Sequence, residues 1–265
     1  MLQTCTTAQI PTREPKNRTP LTVQPESVHA FCSAIVHNCT GERVHMKTIA
    51  IAINKGGAGK TTVTRSLGTA AAAAGLNVLI LDMDIQQSAT QWGRRRQEPL
   101  PVVRFTTEND LANELQRAKE ARCDLVIIDT PPGRGSEAPA AVEAADFVLI
   151  PFTADIEAFE QLPRTARLAR TTGKAAVAIL NQATPNSRSE EDAARGVLEA
   201  LGLPMAPTVL HRFKVHRDAS RGGLTAQELE PDSKAGAEIN ALWDWLCAEL
   251  QLSTGAPVHK RRALA

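Results

Sequence analysis

The chain has 265 residues, 30 lysines and arginines against 29 aspartates and glutamates, and a formal net charge of +1. That balance excludes a polycationic nucleic-acid coat and an acidic disordered tail. With 43% hydrophobic residues, 3% aromatics and no tyrosine, the core is built from Ala, Val, Leu and Ile, which suits close packing of helices on a sheet.

Residues 1–45 hold three of the five cysteines, three of the six histidines and no clear periodicity. Cys32, His37, Cys39 and His45 invite a metal reading, but their spacing matches none of the compact zinc patterns. Three other readings stay open. The segment is a disordered extension, or it lies upstream of a true start at Met46, or it is an arm carrying Arg13, Lys16, Arg18 and Arg43. No run reaches the roughly 18 apolar residues needed to span a bilayer. Pro11, Pro15, Pro20 and Pro25 interrupt any signal-like core, so the expected address is cytoplasmic with reduced cysteines.

From Lys47 the pattern alternates. A strand is expected over 47–54, ending at a glycine cluster, then a helix over 61–75 closed by Gly75. Strands follow at 77–82 and 101–105, a helix at 108–121, and strands at 123–129 and 146–151. A helix over 156–173 should kink or restart at Pro163. Residues 174–180 form another strand, with helices near 188–202, 211–221 and 235–251. Strands apolar on both faces and separated by helices predict an α/β fold, a mostly parallel twisted sheet with helices on both faces. The expected domain runs over 46–252, followed by a basic tail at 253–265.

"NKGGAGKTT" (54–62) lies between an expected strand and an expected helix, the context of a phosphate-binding loop. Gly56, Gly57 and Gly59 allow a tight turn that aims backbone N–H groups inward, and the following helix adds its positive end. Gly56, Gly57, Ala58, Gly59, Lys60, Thr61 and Thr62 would form the cradle. Lys60 would meet the β- and γ-phosphates, and Thr61 would offer its hydroxyl to Mg²⁺. Asp82 and Asp84 in "LILDMD" and Asp129 in "LVIIDTPP" close expected strands, where carboxylates face the ligand crevice of a parallel sheet.

The general phosphate-loop pattern wants glycine at 54, where this chain has Asn54, and a second lysine, Lys55, precedes the double glycine. The form Lys-Gly-Gly-x-Gly-Lys-Thr resembles the deviant Walker A motif of the ParA/MinD ATPases. The resemblance spans about residues 47–250 and implies a P-loop NTPase fold that binds ATP and Mg²⁺. It implies that Lys55 acts in trans across a nucleotide-sandwiched homodimer and that Asp129 is the Walker B residue holding Mg²⁺ through water. Asp82 would support the metal site. "DMDIQQ" resembles the family's DxDPQ segment, with Ile85 in place of proline, and makes Asp84 the residue that orients the attacking water. "ILNQ" makes Asn181 a base contact, and Pro207 to Leu210 would line the adenine side. With Lys55, Lys60 and Asp84 catalytic, the expected reaction is hydrolysis of ATP to ADP and phosphate, weak until a partner stimulates it.

Members closest to this compact chain are ParA-type partition ATPases, implying plasmid or chromosome partition, nonspecific DNA binding, nucleoid association with ATP bound and a ParB-like partner. Lys214, Arg217 and Arg221 share one face of the expected 211–221 helix, with Arg212 before them; a solvated helix face is the other reading of these charges. The tail is too poor in large apolar residues for a membrane helix. Cys123 and Cys247 fit no cluster-ligating pair. Positioning of another cargo, such as a protein cluster or secretion apparatus, and a metabolic P-loop ligase are the alternatives.

Overall fold

The computed structural model describes residues 45–133 and 135–252. The expectations for residues 1–44 and for the tail at 253–265 lie outside them. Six strands, β1 (Lys47–Ile51), β2 (Val78–Asp82), β3 (Val102–Phe105), β4 (Leu125–Asp129), β5 (Phe147–Phe152) and β6 (Ala175–Leu180), pair in the order β3-β2-β4-β1-β5-β6. Every pairing is parallel. The helices are α1 (Lys60–Ala73), α2 (Ser88–Arg95), α3 (Leu111–Glu120), α4 (Glu137–Ala144), α5 (Ile156–Thr171), α6 (Arg188–Leu201), α7 (Lys214–Arg221), α8 (Ala226–Leu229) and α9 (Lys234–Leu250).

Side-chain alternation splits the core into two layers. Ile49, Ile51, Ile80, Leu125 and Ile127 pack with α1, α2 and α9 on one face of the sheet. Ala50, Leu79, Leu81, Val126 and Ile128 pack with α3, α4, α5 and α6 on the other. Each fully buried aliphatic side chain contributes about 1.5–3 kcal/mol, so strands covered on both faces outweigh local propensity. The aromatic-poor composition serves this closeness. A Cβ at Gly68 of α1 would stand 2.8 Å from Ile80 of β2.

All six expected strands are present, with ends shifted by one to three residues. Helix α1 ends as read, with Gly75 left-handed at φ 89° and Leu76 donating to the Ala71 carbonyl at 3.1 Å. Three differences matter. Helix α5 runs through Pro163 without a restart; Pro163 sits on the exposed side, where the carbonyl its ring leaves free is open to solvent. Helices α2, α4 and α8 were not expected. The 211–221 helix begins only at Lys214, since His211 is held extended by a parallel bridge to Ala183.

The topology brings three strand ends together. Asp82 of β2 pairs in register with Asp129 of β4, and Asp129 with Ile51 of β1. The glycine loop leaves β1 at that same edge.

Candidate nucleotide site

The loop between β1 and α1 is shaped by left-handed backbone at Gly57 (φ 78°) and Gly59 (φ 86°). A side chain at Gly59 would be strained by that φ and would collide with the Asn181 amide. The segment after β6 braces the loop from outside. Asn181 donates to the Ala58 carbonyl at 2.8 Å, and Gln182 to the Gly57 carbonyl at 2.6 Å. Holding these carbonyls outward leaves the neighbouring N–H groups aimed at the cavity, where an anion would satisfy them.

Lys60 is buried in this loop and donates to the carbonyls of Ile53 (3.1 Å) and Lys55 (2.9 Å). Burial lowers its pKa, while Asp129 and Asp84 act to raise it. A cavity of about 300 Å³ opens above it, lined by Gly56, Gly57, Gly59, Lys60, Thr61, Thr62, Asp84, Pro132 and Gln182.

Asp129, at the end of β4, is fully buried. Its Oδ1 accepts from Thr64 at 3.3 Å, and its Oδ2 has no donor. Burial pushes its carboxyl up to about 7, with Asp82 adding to the shift and Lys60 and the threonine hydroxyls opposing it. A buried carboxylate oxygen without a donor fits a cation. Asp82 is also raised by burial, but it accepts from the Thr90 backbone (2.8 Å), the Thr90 hydroxyl (3.0 Å) and the Asp84 backbone (3.2 Å). Asp82 is fully buried and organises the following loop. Asp84 caps its own turn by accepting from Gln86 N at 2.9 Å and stands at the mouth. Among the described residues no three His, Cys, Asp or Glu side chains form a cage for a metal ion. A largely hydrated cation held by one or two carboxylates and phosphate oxygens matches that donor set.

The two lysines of the loop do different jobs. Lys60 turns inward, whereas Lys55 does not line the cavity and is clasped by Asp155, and by Glu157 at 3.0 Å, at the start of α5. Asp155 also caps α5 by accepting from Ala158 N at 2.9 Å. Asn54, the departure from the glycine pattern, has a structural role. Its amide donates to Gln161 of α5 at 3.0 Å, tying the start of the loop to that helix.

A second cavity, of about 760 Å³, continues from Gly59 and Thr62 past Asn181 and Gln182 to Arg65, His211, Arg212, Phe213, Lys214, His216, Arg217 and Ser220. Asn181 is among the residues that line it. Pro207 is exposed and does not line it; the wall comes instead from residues 211–217. Arg212, Lys214, Arg217 and Arg221 are exposed, with Lys214 paired to Asp218 at 2.8 Å and Arg221 to the same carboxylate at 3.8 Å. Arg65, Gln182, Asp155 and Glu157 were missed in the sequence. Only Asp155 carries a local signal, a capping residue before a helical run.

The family model for the CobQ/CobB/MinD/ParA nucleotide binding domain matches residues 49–225. The chain belongs to this family. It is 32% identical over 208 residues to the maintenance of carboxysome distribution protein A of Gloeobacter kilaueensis, covering 72% of this chain and 93% of that relative. It is 28% identical over 164 residues to the chromosome partitioning protein ParA of Caulobacter vibrioides, covering 46% and 61% of the two chains. In structure it resembles an ATP complex of a McdA variant from Cyanothece, with a TM-score of 0.59 at 23% identity over 76% of this chain and 96% of that one. The P-loop fold expected from the motif is thereby shared with solved members of the family. Among the described residues no helix is long and apolar enough to cross a membrane.

Proposed function

We propose that this chain is a ParA/MinD-type ATPase that positions a cargo by ATP-dependent self-association and DNA binding. The observation that carries it is the division of labour between the two loop lysines. Lys60 is buried in the loop, and Lys55 is held by Asp155 and Glu157, outside the lining of its own cavity. A lysine so placed serves the neighbouring copy of a face-to-face dimer.

In this reading the loop N–H groups and Lys60 bind and orient the β- and γ-phosphates of ATP. Thr61, Asp82 and Asp129 would hold Mg²⁺, which would supply positive charge to the phosphate oxygens. Asp84 accepts a hydrogen bond from the attacking water. Lys55 of the partner subunit stabilises the γ-phosphate, so ATP and water become ADP and phosphate only within the dimer. Asn181 contacts the base. Arg212, Lys214, Arg217 and Arg221, doubled by the dimer, contact the DNA backbone without sequence preference. A small DNA- or cargo-bound partner, ParB-like in role, stimulates turnover. The location that follows is cytoplasmic, on the nucleoid while ATP is bound.

The similarity to carboxysome distribution proteins over nearly their whole length favours a protein assembly as cargo. The shorter match to a chromosome partitioning ParA supports the second reading, segregation of a replicon. Sedimentation with a non-hydrolysable ATP analogue tests the shared core. The native chain should sediment as a dimer, and Lys55→Ala should lose dimer-dependent hydrolysis. A persistent monomer, or full turnover without Lys55, refutes the proposal.

A further inference from the structure

Helix α2 begins directly after the Asp84 loop and is anchored at both ends. At its start, Thr90 donates twice to Asp82. At its far end, Trp92 and Arg96 are bound into α7, α8 and the turn between them. The helix is about 12 Å long by the rise per residue, the span between the metal-side carboxylates and the basic helix.

Trp92 is the centre of this connection. It is fully buried, and two guanidinium groups stand over its ring, Arg96 at 4.7 Å and Arg65 at 5.8 Å from the ring centre. Its indole N–H donates to the Leu224 carbonyl at 3.1 Å. Arg96 forms a two-pronged ion pair with Glu228 (3.0 and 2.8 Å) and donates to the Gly223 carbonyl at 3.0 Å. Arg65, on α1, donates to the Thr61 carbonyl at 3.1 Å and to the Ser220 hydroxyl of α7 at 2.9 Å. The turn after α7 presses on α2. A Cβ at Gly223 would stand 2.6–2.7 Å from the Arg95 and Arg96 backbone. Helix α7 also forms one wall of the cavity that continues from Gly59 and Thr62.

We propose that Trp92, in contact with Arg65 and Arg96, is the positioning residue that couples the nucleotide site to α7. Movement of the Asp84 loop carries α2 as a rigid body, and these contacts pass that movement to Lys214, Arg217 and Arg221. The coupling sets how DNA affinity depends on which nucleotide is bound, not how tightly nucleotide binds. It rests on the DNA-binding reading of α7, and the arms below separate the two.

The first measurement needs no DNA. In the chain carrying Trp243→Phe and Trp245→Phe, Trp92 is the sole tryptophan, and the stacked guanidinium groups make its emission sensitive to their placement. Its emission should differ between Mg-ATP and Mg-ADP; identical emission in the two states overturns the coupling whatever α7 binds. The second measurement compares duplex DNA affinity with ATP and with ADP. Trp92→Phe keeps a ring but loses the indole donor, and Glu228→Gln keeps the shape and the cap of α8 but removes the charge opposite Arg96. Each should leave Mg-ATP affinity within threefold and cut the ATP-to-ADP ratio of DNA affinity at least fivefold. A control with Lys214→Ala, Arg217→Ala and Arg221→Ala together should lose DNA affinity itself. If that control binds DNA normally, the DNA surface is misplaced and the emission measurement decides the coupling. If the control fails to bind while both single variants keep the full ratio, the coupling is wrong. Should Trp92→Phe not fold, Glu228→Gln carries the comparison alone.

Discussion

The two ends of the nucleotide site are built in opposite ways. The proposed phosphate end is one contiguous stretch, residues 54–62, a turn shaped by left-handed Gly57 and Gly59 around a single buried lysine. The far end is assembled from side chains of α1, the β6 loop, the 211–213 segment and α7, including Arg65, Asn181, Phe213 and His216. A backbone-built site tolerates no change at its turn. A side-chain-built site can be retuned residue by residue, which is where a family with one chemistry and many cargoes has room to vary.

The contrast breaks first at Lys60. Lys60→Ala should lower Mg-ATP affinity about 100-fold, since a buried cation aimed at phosphate is worth roughly 3 kcal/mol. Titration with a fluorescent ATP analogue would show it, and near-native affinity would move the phosphate site elsewhere. Gly59→Ala comes next. Its left-handed φ and the Asn181 amide leave no room for a methyl group, so denaturant unfolding should show a loss of about 1–3 kcal/mol. An unchanged midpoint would mean that the loop is not held as described.

The smallest effect lies at the far end. Burial lowers the pKa of His216, with Arg65 adding to the shift. The folded chain therefore prefers the neutral ring, while the unfolded chain takes up a proton near the ordinary histidine value. That contribution is present above pH 6.5 and fades as pH falls below it. Unfolding at pH 5.5 and 7.5 should show a larger loss for the native chain than for His216→Gln. Equal losses would place His216 in an open, solvated position.

The same division explains what was legible. The six strands read as apolar runs because burial on both faces leaves little choice of residue, and the phosphate loop reads because its parts are adjacent. Helix α2 was invisible. "SATQWGRR" mixes a glycine, two small hydroxyl residues and two arginines, and its order comes from contacts to Asp82, Leu224 and Glu228 rather than from periodicity. Pro163 misled because proline breaks a helix by local rule, and only its exposure in the fold shows why this one does not. The segment 211–213 reads as the start of a basic helix, yet pairing beside β6 holds it extended and moves the cavity wall away from Pro207.

The clasp on Lys55 has a consequence for ionic strength. The side chains of Asp155 and Glu157 are 42% and 81% exposed, so dissolved ions weaken their hold on the ammonium group, which in the proposed dimer would free it for the neighbouring copy. The same ions weaken contact between the basic helix and a polyanion. Assembly on DNA should therefore peak at an intermediate salt concentration, with too little salt leaving subunits closed on themselves and too much leaving them nothing to hold.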